Sequence, residues 1–161
     1  MADTTIGKKF ESKFEQYWQE SVPGAFIYRL YDTVRGQSGV NNACDYICYA
    51  QGHCFLVECK EHTKNTFPFS AFPQYERLIK YKDLGGVHAG VVLWFRDHDR
   101  VVWIPIETFI QLKEEGAASF HVKMIDDPKY KCLELPSKKL RAYMQTDYLP
   151  LVNYYSNLKE N

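Results

Sequence analysis

Three residues, Asp45, Glu58 and Lys60, have the types and the spacing of a metal-assisted hydrolytic site. All three lie in the stretch 44–60, where two runs rich in β-forming residues flank a Gln-Gly pair. This pattern is typical of a β-hairpin with a two-residue turn. Counting outward from that turn places Asp45 directly opposite Glu58. Lys60 lies two residues beyond Glu58 and therefore points to the same face.

Two carboxylates that face each other across a hairpin repel, and a divalent cation is the natural compensation. Mg²⁺ is typically held by one or two carboxylates while it keeps waters and takes up phosphate oxygens. A neighbouring lysine can hold or deprotonate an attacking water and offset charge on the phosphate. The alternative is that Asp45 lies in solvent at a strand entry and that Glu58 and Lys60 form a surface ion pair. Because the acid and the lysine close a strongly apolar run, 54–57, we favour metal-assisted phosphodiester hydrolysis.

The rest of the chain supplies elements that would position this hairpin. The order is helix, three strands, helix and two strands, with an exposed loop at Tyr31–Asn42, which predicts one α/β domain with a mixed β-sheet flanked by helices. We expect a single domain over residues 1–161, with its core at about 7–110 and the C-terminal extension packed on it. The predicted helices are 7–21, 72–84, 106–115 and 148–158, and the predicted strands are 25–30, 44–50, 53–60, 89–95 and 101–105.

Composition limits the class of protein. The chain has 161 residues, of which 45% are hydrophobic and 25% charged, as in a folded globular domain. Its formal net charge of zero disfavours a protein that coats nucleic acid through bulk charge. Its start does not resemble a signal peptide, and no run approaches the ~20 apolar residues of a membrane span, so we expect no membrane association and a cytoplasmic location, in bacteria or phage-infected cells. The five cysteines, with no C-x-x-C pair, are read as reduced thiols, with a metal cluster as the alternative.

Positive and aromatic side chains near the predicted hairpin are candidates for DNA contacts. Cations there suit phosphate positioning, although a solvated surface predicts the same pattern. The tyrosines are interpreted as core and sheet packing rather than base stacking. The candidate DNA-binding residues are Arg29, Arg35, Lys64 and Arg77, and the tyrosines are Tyr28, Tyr31, Tyr46 and Tyr49.

The pattern of Asp45 followed by Glu58-Cys59-Lys60 resembles the PD-(D/E)xK nucleases, the restriction-endonuclease-like superfamily. Within it, the chain is similar to the RecU-type Holliday junction resolvases over roughly residues 7–110. The matching segments are Gly7-Lys8-Lys9-Phe10-Glu11, Asp45-Tyr46, Phe55-Leu56-Val57-Glu58-Cys59-Lys60-Glu61, Phe67-Pro68-Phe69 and Gln74.

This resemblance implies a restriction-endonuclease-like core and an Mg²⁺-dependent endonuclease, with Mn²⁺ as an alternative ion. It implies that Asp45, Glu58 and the backbone carbonyl of Cys59 bind the metal and that Lys60 is the catalytic lysine. It further implies a symmetric homodimer in which each subunit nicks one strand of a four-way junction. Two other residues are implied to support the metal site, Glu11 from the first helix and Gln74 from the crossover helix.

The chain departs from the family pattern in two places. The family carries a hydroxyl residue two positions before the metal-binding aspartate, and Ala43 stands there in this chain. The family also has a long stalk between its first two strands, whereas Tyr31–Asn42 is short, as in a compact phage-encoded enzyme. Two alternatives to a junction resolvase therefore stay open: a PD-(D/E)xK endonuclease acting on linear duplex DNA, and a catalytically silent DNA-binding recombination accessory protein.

Overall fold

A computed structural model of the chain describes residues 4–31 and 41–158. The α-helices are α1 (Thr4–Ser21), α2 (Tyr75–Leu78), α3 (Ile106–Glu114) and α4 (Leu149–Asn157). The strands are β1 (Phe26–Arg29), β2 (Tyr46–Ala50), β3 (His53–His62), β4 (Thr66–Pro68), β5 (Val87–Phe95), β6 (Arg100–Pro105), β7 (Ser119–His121), β8 (Leu133–Leu135), β9 (Ser137–Lys139) and β10 (Met144–Thr146).

The centre of the fold is a six-stranded sheet in the order β1-β2-β3-β5-β6-β8. Strands β3 and β5 are parallel, whereas the other neighbouring pairs in this sheet are antiparallel. The mixed sheet expected from the sequence is therefore confirmed. Two small antiparallel pairs, β4–β7 and β9–β10, lie outside it.

Each face of the sheet has its own hydrophobic cluster. On one face, Phe14 and Trp18 of α1 and Leu151 of α4 pack on alternate residues of the strands, such as Phe55. On the other face, Phe109 of α3 and side chains around α2 pack on the intervening strand residues. Strand β3 is thus covered on both sides, which explains its nearly continuous apolar sequence. No α-helix in the described ranges is long and apolar enough to cross a lipid bilayer.

The predicted hairpin register is confirmed over five pairs, from Ala50–His53 at the turn to Tyr46–Val57. Gln51 and Gly52 both have positive φ, at 51° and 82°. Positive φ at both central residues is the requirement of a type I′ turn, whose twist matches that of the flanking strands. A two-residue turn of this kind fixes which residues of β3 share a face with β2.

The predicted single helix over 72–84 is wrong. The segment instead forms the four-residue helix α2, flanked by short 3₁₀ turns at Phe69–Ala71 and Ile79–Tyr81. The second turn and the residues after it are closed by bonds between residues three apart, from the Lys82 N–H to the Ile79 carbonyl and from the Leu84 N–H to the Tyr81 carbonyl. Tertiary packing of Leu78 in the core has overridden the longer helical pattern.

Gly90 on β5 is a position where we expect a single methyl group to be costly. A Cβ atom there would lie 2.5 Å from the Ile104 carbonyl oxygen and 2.8 Å from two ring carbons of Trp103. Because the first of these is backbone, the strands would have to separate. We expect Gly90→Ala to lower the free energy of unfolding by about 2 to 3 kcal/mol, or roughly 4 to 12 °C in Tm.

Gly85→Ala is the matched control for that prediction. A Cβ atom at Gly85 meets nothing within 4 Å, so this variant should stay within about 0.5 kcal/mol of the parent. Thermal unfolding of the two variants compares them directly. Equal Tm values for the two would contradict the close packing of β5 on β6.

Candidate active site

Asp45 is held in place by backbone and side-chain hydrogen bonds immediately before β2. Its N–H donates to the Val57 carbonyl at 3.0 Å, and its carbonyl accepts from the Leu30 N–H at 2.8 Å. Its carboxylate Oδ2 accepts from the Cys59 N–H at 2.8 Å. The prediction that Asp45 is a regular cross-strand partner of Glu58 is wrong in this detail, because strand pairing ends at Tyr46. The aspartate is nevertheless fixed against the same segment of β3.

Glu58 and Lys60 lie two residues apart on β3 and form an ion pair, with Lys60 Nζ 3.1 Å from Glu58 Oε1. The glutamate side chain is 4% exposed, whereas the lysine side chain is 23% exposed. The Lys60 ammonium group therefore lies nearer the solvent than the buried Glu58 carboxyl group with which it pairs. The sequence prediction that these two side chains share a face is confirmed.

The environment of Glu58 disfavours its charged form. The pKa of Glu58 is raised to about 8, chiefly by burial and next by the nearby Asp45 carboxylate, while Lys60 acts in the opposite direction. Glu11 adds a smaller contribution in the same direction as Asp45. A carboxyl group that burial and like charges both destabilise in its ionised form is what a cation would relieve.

Glu11 reaches this neighbourhood from α1. Its carboxylate Oε2 accepts from Arg29 Nη2 at 3.0 Å, and its backbone carbonyl accepts from the Tyr46 hydroxyl at 2.9 Å. The helix is thus fastened to β1 and to the start of β2, one residue from Asp45. The role of Tyr46 could not be predicted from the sequence. A tyrosine next to the aspartate looks the same in sequence whether it only packs in the sheet or also donates to α1.

Gln74, immediately before α2, has a side-chain amide oxygen that lacks a hydrogen-bond donor among the described residues. Its Oε1 atom is buried and accepts no hydrogen bond within the described part of the chain. Leaving such an acceptor desolvated costs about 1 to 3 kcal/mol unless water or a ligand meets it. The supporting role expected of Gln74 stays a prediction.

The available donors fit a hard divalent cation. The donors expected from the sequence are two carboxylates (Asp45 and Glu58), the Cys59 carbonyl and the Gln74 amide oxygen, all of them oxygen atoms of the kind that Mg²⁺ takes. Among the described residues no group of three His, Cys, Asp or Glu side chains is arranged to hold a metal. All five cysteines are free thiols.

Two of the four candidate DNA contacts are engaged inside the protein. Arg29 is bonded to Glu11, and Arg77 Nη1 donates to the Asn42 carbonyl at 2.6 Å. Lys64 is exposed in the bend that follows β3. Arg35 lies outside the described residues, as does most of the loop Tyr31–Asn42.

Comparison with known proteins places this geometry in context. The family model of Recombination protein U, RecU, matches residues 30–158. The match begins after the expected segment at 7–11 and extends well past the expected limit of 110, so it includes the C-terminal elements. The Holliday junction resolvase Hjc of the archaeal hyperthermophile Archaeoglobus fulgidus is similar in structure, at 17% identity and a TM-score of 0.48, over 63% of this chain and 78% of that one. No significant match was found among curated protein sequences.

Proposed function

The chain belongs to the RecU family of Holliday junction resolvases, and from this premise we propose that it cuts four-way DNA junctions with an active site built from Asp45, Glu58 and Lys60. As a member of that family it is an endodeoxyribonuclease that acts in DNA recombination. We further assign the reaction to particular residues, to a divalent ion and to a pair of subunits.

One observation carries the assignment: Glu58 is almost fully buried, lies within electrostatic range of Asp45, and is paired with Lys60. If stability alone determined the residue at this position, we would expect an apolar side chain, because burying a carboxylate beside a second carboxylate is unfavourable. The backbone bonds that fix Asp45 against β3 hold the two acids in this unfavourable proximity.

In the proposed mechanism Asp45, Glu58 and the Cys59 carbonyl hold Mg²⁺, or Mn²⁺ in its place, with support from Gln74. When bound, the ion would supply the Lewis acid that polarises the scissile phosphate and would lower the pKa of the attacking water. Oxygen donors alone favour such hard ions over zinc.

Lys60 has two tasks in this scheme. Its Nζ atom lies 3.1 Å from Glu58 Oε1 and its side chain is partly exposed, so it would lie within reach of an incoming phosphate. There it would hold the attacking water and offset the negative charge that develops on the phosphate oxygens. Glu11, anchored by Arg29, would orient further water at the edge of the site.

Resolution of a junction requires two strands to be cut at symmetric positions. Each chain supplies one set of Asp45, Glu58 and Lys60, so we propose that the working unit is a homodimer that nicks one strand with each subunit. The DNA partner is branched, and its two-fold symmetry would match that of the dimer.

Cleavage of a synthetic four-way junction beside a linear duplex of the same sequence tests the proposal. We expect paired symmetric nicks in the junction with Mg²⁺, little cutting of the duplex, and at least a 100-fold rate difference between Mg²⁺ and EDTA. A 100-fold difference corresponds to about 2.7 kcal/mol in the activation barrier. Equal cutting of both substrates would instead indicate a general nuclease, and binding without cutting of any substrate would indicate an accessory protein.

A further inference from the structure

The segment that carries Asp45 and the turn that carries Gln74 are joined by the side chain of Arg77, on α2. Arg77 Nη1 donates to the Asn42 backbone carbonyl at 2.6 Å, in a part-buried position. Asn42 lies three residues before Asp45. Gln74 likewise lies three residues before Arg77. The hydrogen bond therefore connects the surroundings of two expected metal donors, although the residues it joins are 35 positions apart in the chain.

Both of the connected segments are short and irregular. Residues 42–44 precede β2, whose pairing with β1 and β3 begins at Tyr46. On the other side, α2 comprises only four residues, and an isolated helix of that length does not persist in water. Its start is closed by the N–H groups of Arg77 and Leu78, which both donate to the Gln74 carbonyl at 3.0 Å. A contact between the two segments therefore has a strong influence on where each of them lies.

The Asp45 end of this connection is the more rigid one. Asp45 is fixed by the three hydrogen bonds described above, which tie it to β3 and to the residue that follows β1. The α2 end is anchored in the core by Leu78, which is fully buried, whereas Gln74 lies one turn earlier and is only partly buried. The position of Gln74 relative to Asp45 therefore depends on the bond that Arg77 makes.

The connection continues beyond Asn42 towards the first helix. Asn42 Nδ2 donates to the Tyr31 carbonyl at 2.9 Å, and Arg29 Cζ lies 5.3 Å from the centre of the Tyr31 ring. Arg29 is in turn bonded to Glu11. A chain of contacts thus runs from α2 past the Asp45 segment to Glu11. Contrary to the expected core packing, the exposed tyrosines of this region are Tyr28, Tyr31 and Tyr49, at 57%, 74% and 50%.

We propose that Arg77 is a positioning residue for the metal site, in place of the DNA contact that its charge suggests in the sequence. The inference rests on the proposed function, because it takes Asp45 and Gln74 as donors to Mg²⁺. Arginine suits this task, since its planar guanidinium holds its N–H donors in a fixed arrangement. Residues that hold metal ligands in place without touching the metal typically change metal affinity 10- to 100-fold when they are replaced.

The dependence of Tm on Mg²⁺ concentration tests the inference without any cleavage, because it yields an apparent dissociation constant for Mg²⁺. Arg77→Met keeps an unbranched side chain and removes the donor. We expect it to raise this dissociation constant at least about tenfold. The matched control is Lys80→Met, which removes an exposed positive charge three residues further along and should stay within about twofold of the parent.

Junction binding in EDTA separates positioning from DNA contact. A positioning residue leaves this binding unchanged, so Arg77→Met should bind a labelled junction within about twofold of the parent at each salt concentration. The loss of a phosphate contact would instead weaken binding and reduce the slope of log K against log salt concentration by about 1. Arg77→Gln, a polar replacement of shorter reach, repeats both measurements should Arg77→Met fail to fold.

The possible outcomes distinguish this inference from the proposed function. A parental Mg²⁺ dissociation constant in Arg77→Met would overturn the inference and leave the nuclease proposal intact, even if the variant lost Tm in EDTA, since Arg77 would then serve stability alone. Weaker junction binding with a reduced salt slope would overturn it in favour of a DNA contact. An equal loss of Mg²⁺ affinity in Lys80→Met would show a general effect of charge, which overturns it also. A parent whose Tm does not respond to Mg²⁺ would remove the proposed metal site and this inference together.

Discussion

Replacing Glu58 with glutamine is expected to reduce junction cleavage by at least about 1000-fold while the junction is still bound. The substitution keeps the size of the side chain and removes the negative charge that a divalent ion requires. A loss of this size corresponds to about 4 kcal/mol of transition-state stabilisation, within the range expected for one group that stabilises developing charge. Single-turnover cleavage of a labelled junction measures it, and fluorescence anisotropy in EDTA measures binding.

Asp45→Asn should give a loss of the same order for the same reason. Asparagine retains a side-chain oxygen that can accept the bond from the Cys59 N–H, so the local backbone should be preserved. The control is Glu114→Gln, an exposed carboxylate on α3, which should cut within about threefold of the parent rate. Cleavage at the parental rate by either site variant would show that the metal ligands lie elsewhere.

The hairpin could be predicted from the sequence because its register depends on local information. A Gln-Gly pair between two β-forming runs determines the turn, and the turn determines every later pair as far as Tyr46–Val57. The shared face of Glu58 and Lys60 then follows from the two-residue period of a strand. The exact position of Asp45 does not follow, because its carboxylate is turned by a bond to the backbone of Cys59, which strand periodicity does not include.

The remaining differences arise from long-range packing. The short α2 replaces a longer predicted helix because Leu78 and its neighbours are fixed by the core on the α3 face. Strand β8 pairs with β6 over a separation of about thirty residues, and a three-residue strand has too little pattern to be recognised alone. Exposure of Tyr28 and Tyr49 depends on which strands a helix covers, and a tyrosine in a strand has the same appearance in sequence whether covered or not.

Glu58→Gln is also expected to stabilise the metal-free protein at alkaline pH, in contrast to its effect on cleavage. The pKa of Glu58 is raised to about 8 in the folded protein, chiefly by burial and then by Asp45, from an ordinary value of 4.5. Between these two pH values the folded state holds a proton that the unfolded state has released. Its favourable contribution is therefore fully present below pH 4.5, declines as pH rises, and is lost above about pH 8.

The neutral glutamine lacks this dependence. In EDTA, we expect the parent and Glu58→Gln to unfold at similar temperatures near pH 5. At pH 8.5 the variant should be the more stable by about 2 to 4 kcal/mol, or roughly 4 to 16 °C in Tm. Differential scanning calorimetry across this pH range measures the difference, with Glu114→Gln again as the control that should follow the parent. A constant difference between parent and variant at all pH values would show that Glu58 does not titrate in the folded protein.

Addition of Mg²⁺ at pH 8.5 tests whether Glu58 is a metal ligand or only an unfavourably buried acid. Because an ion that binds only the folded state stabilises it in proportion to the logarithm of its concentration, the parent should gain stability with added Mg²⁺. Glu58→Gln should gain little, since one of the two proposed carboxylate ligands is absent. The difference in stability between the two proteins should therefore narrow or change sign. If Mg²⁺ raised the Tm of both proteins equally, its binding would not involve Glu58. The strain at Glu58 would then have to be explained without a metal, most simply by its pairing with Lys60.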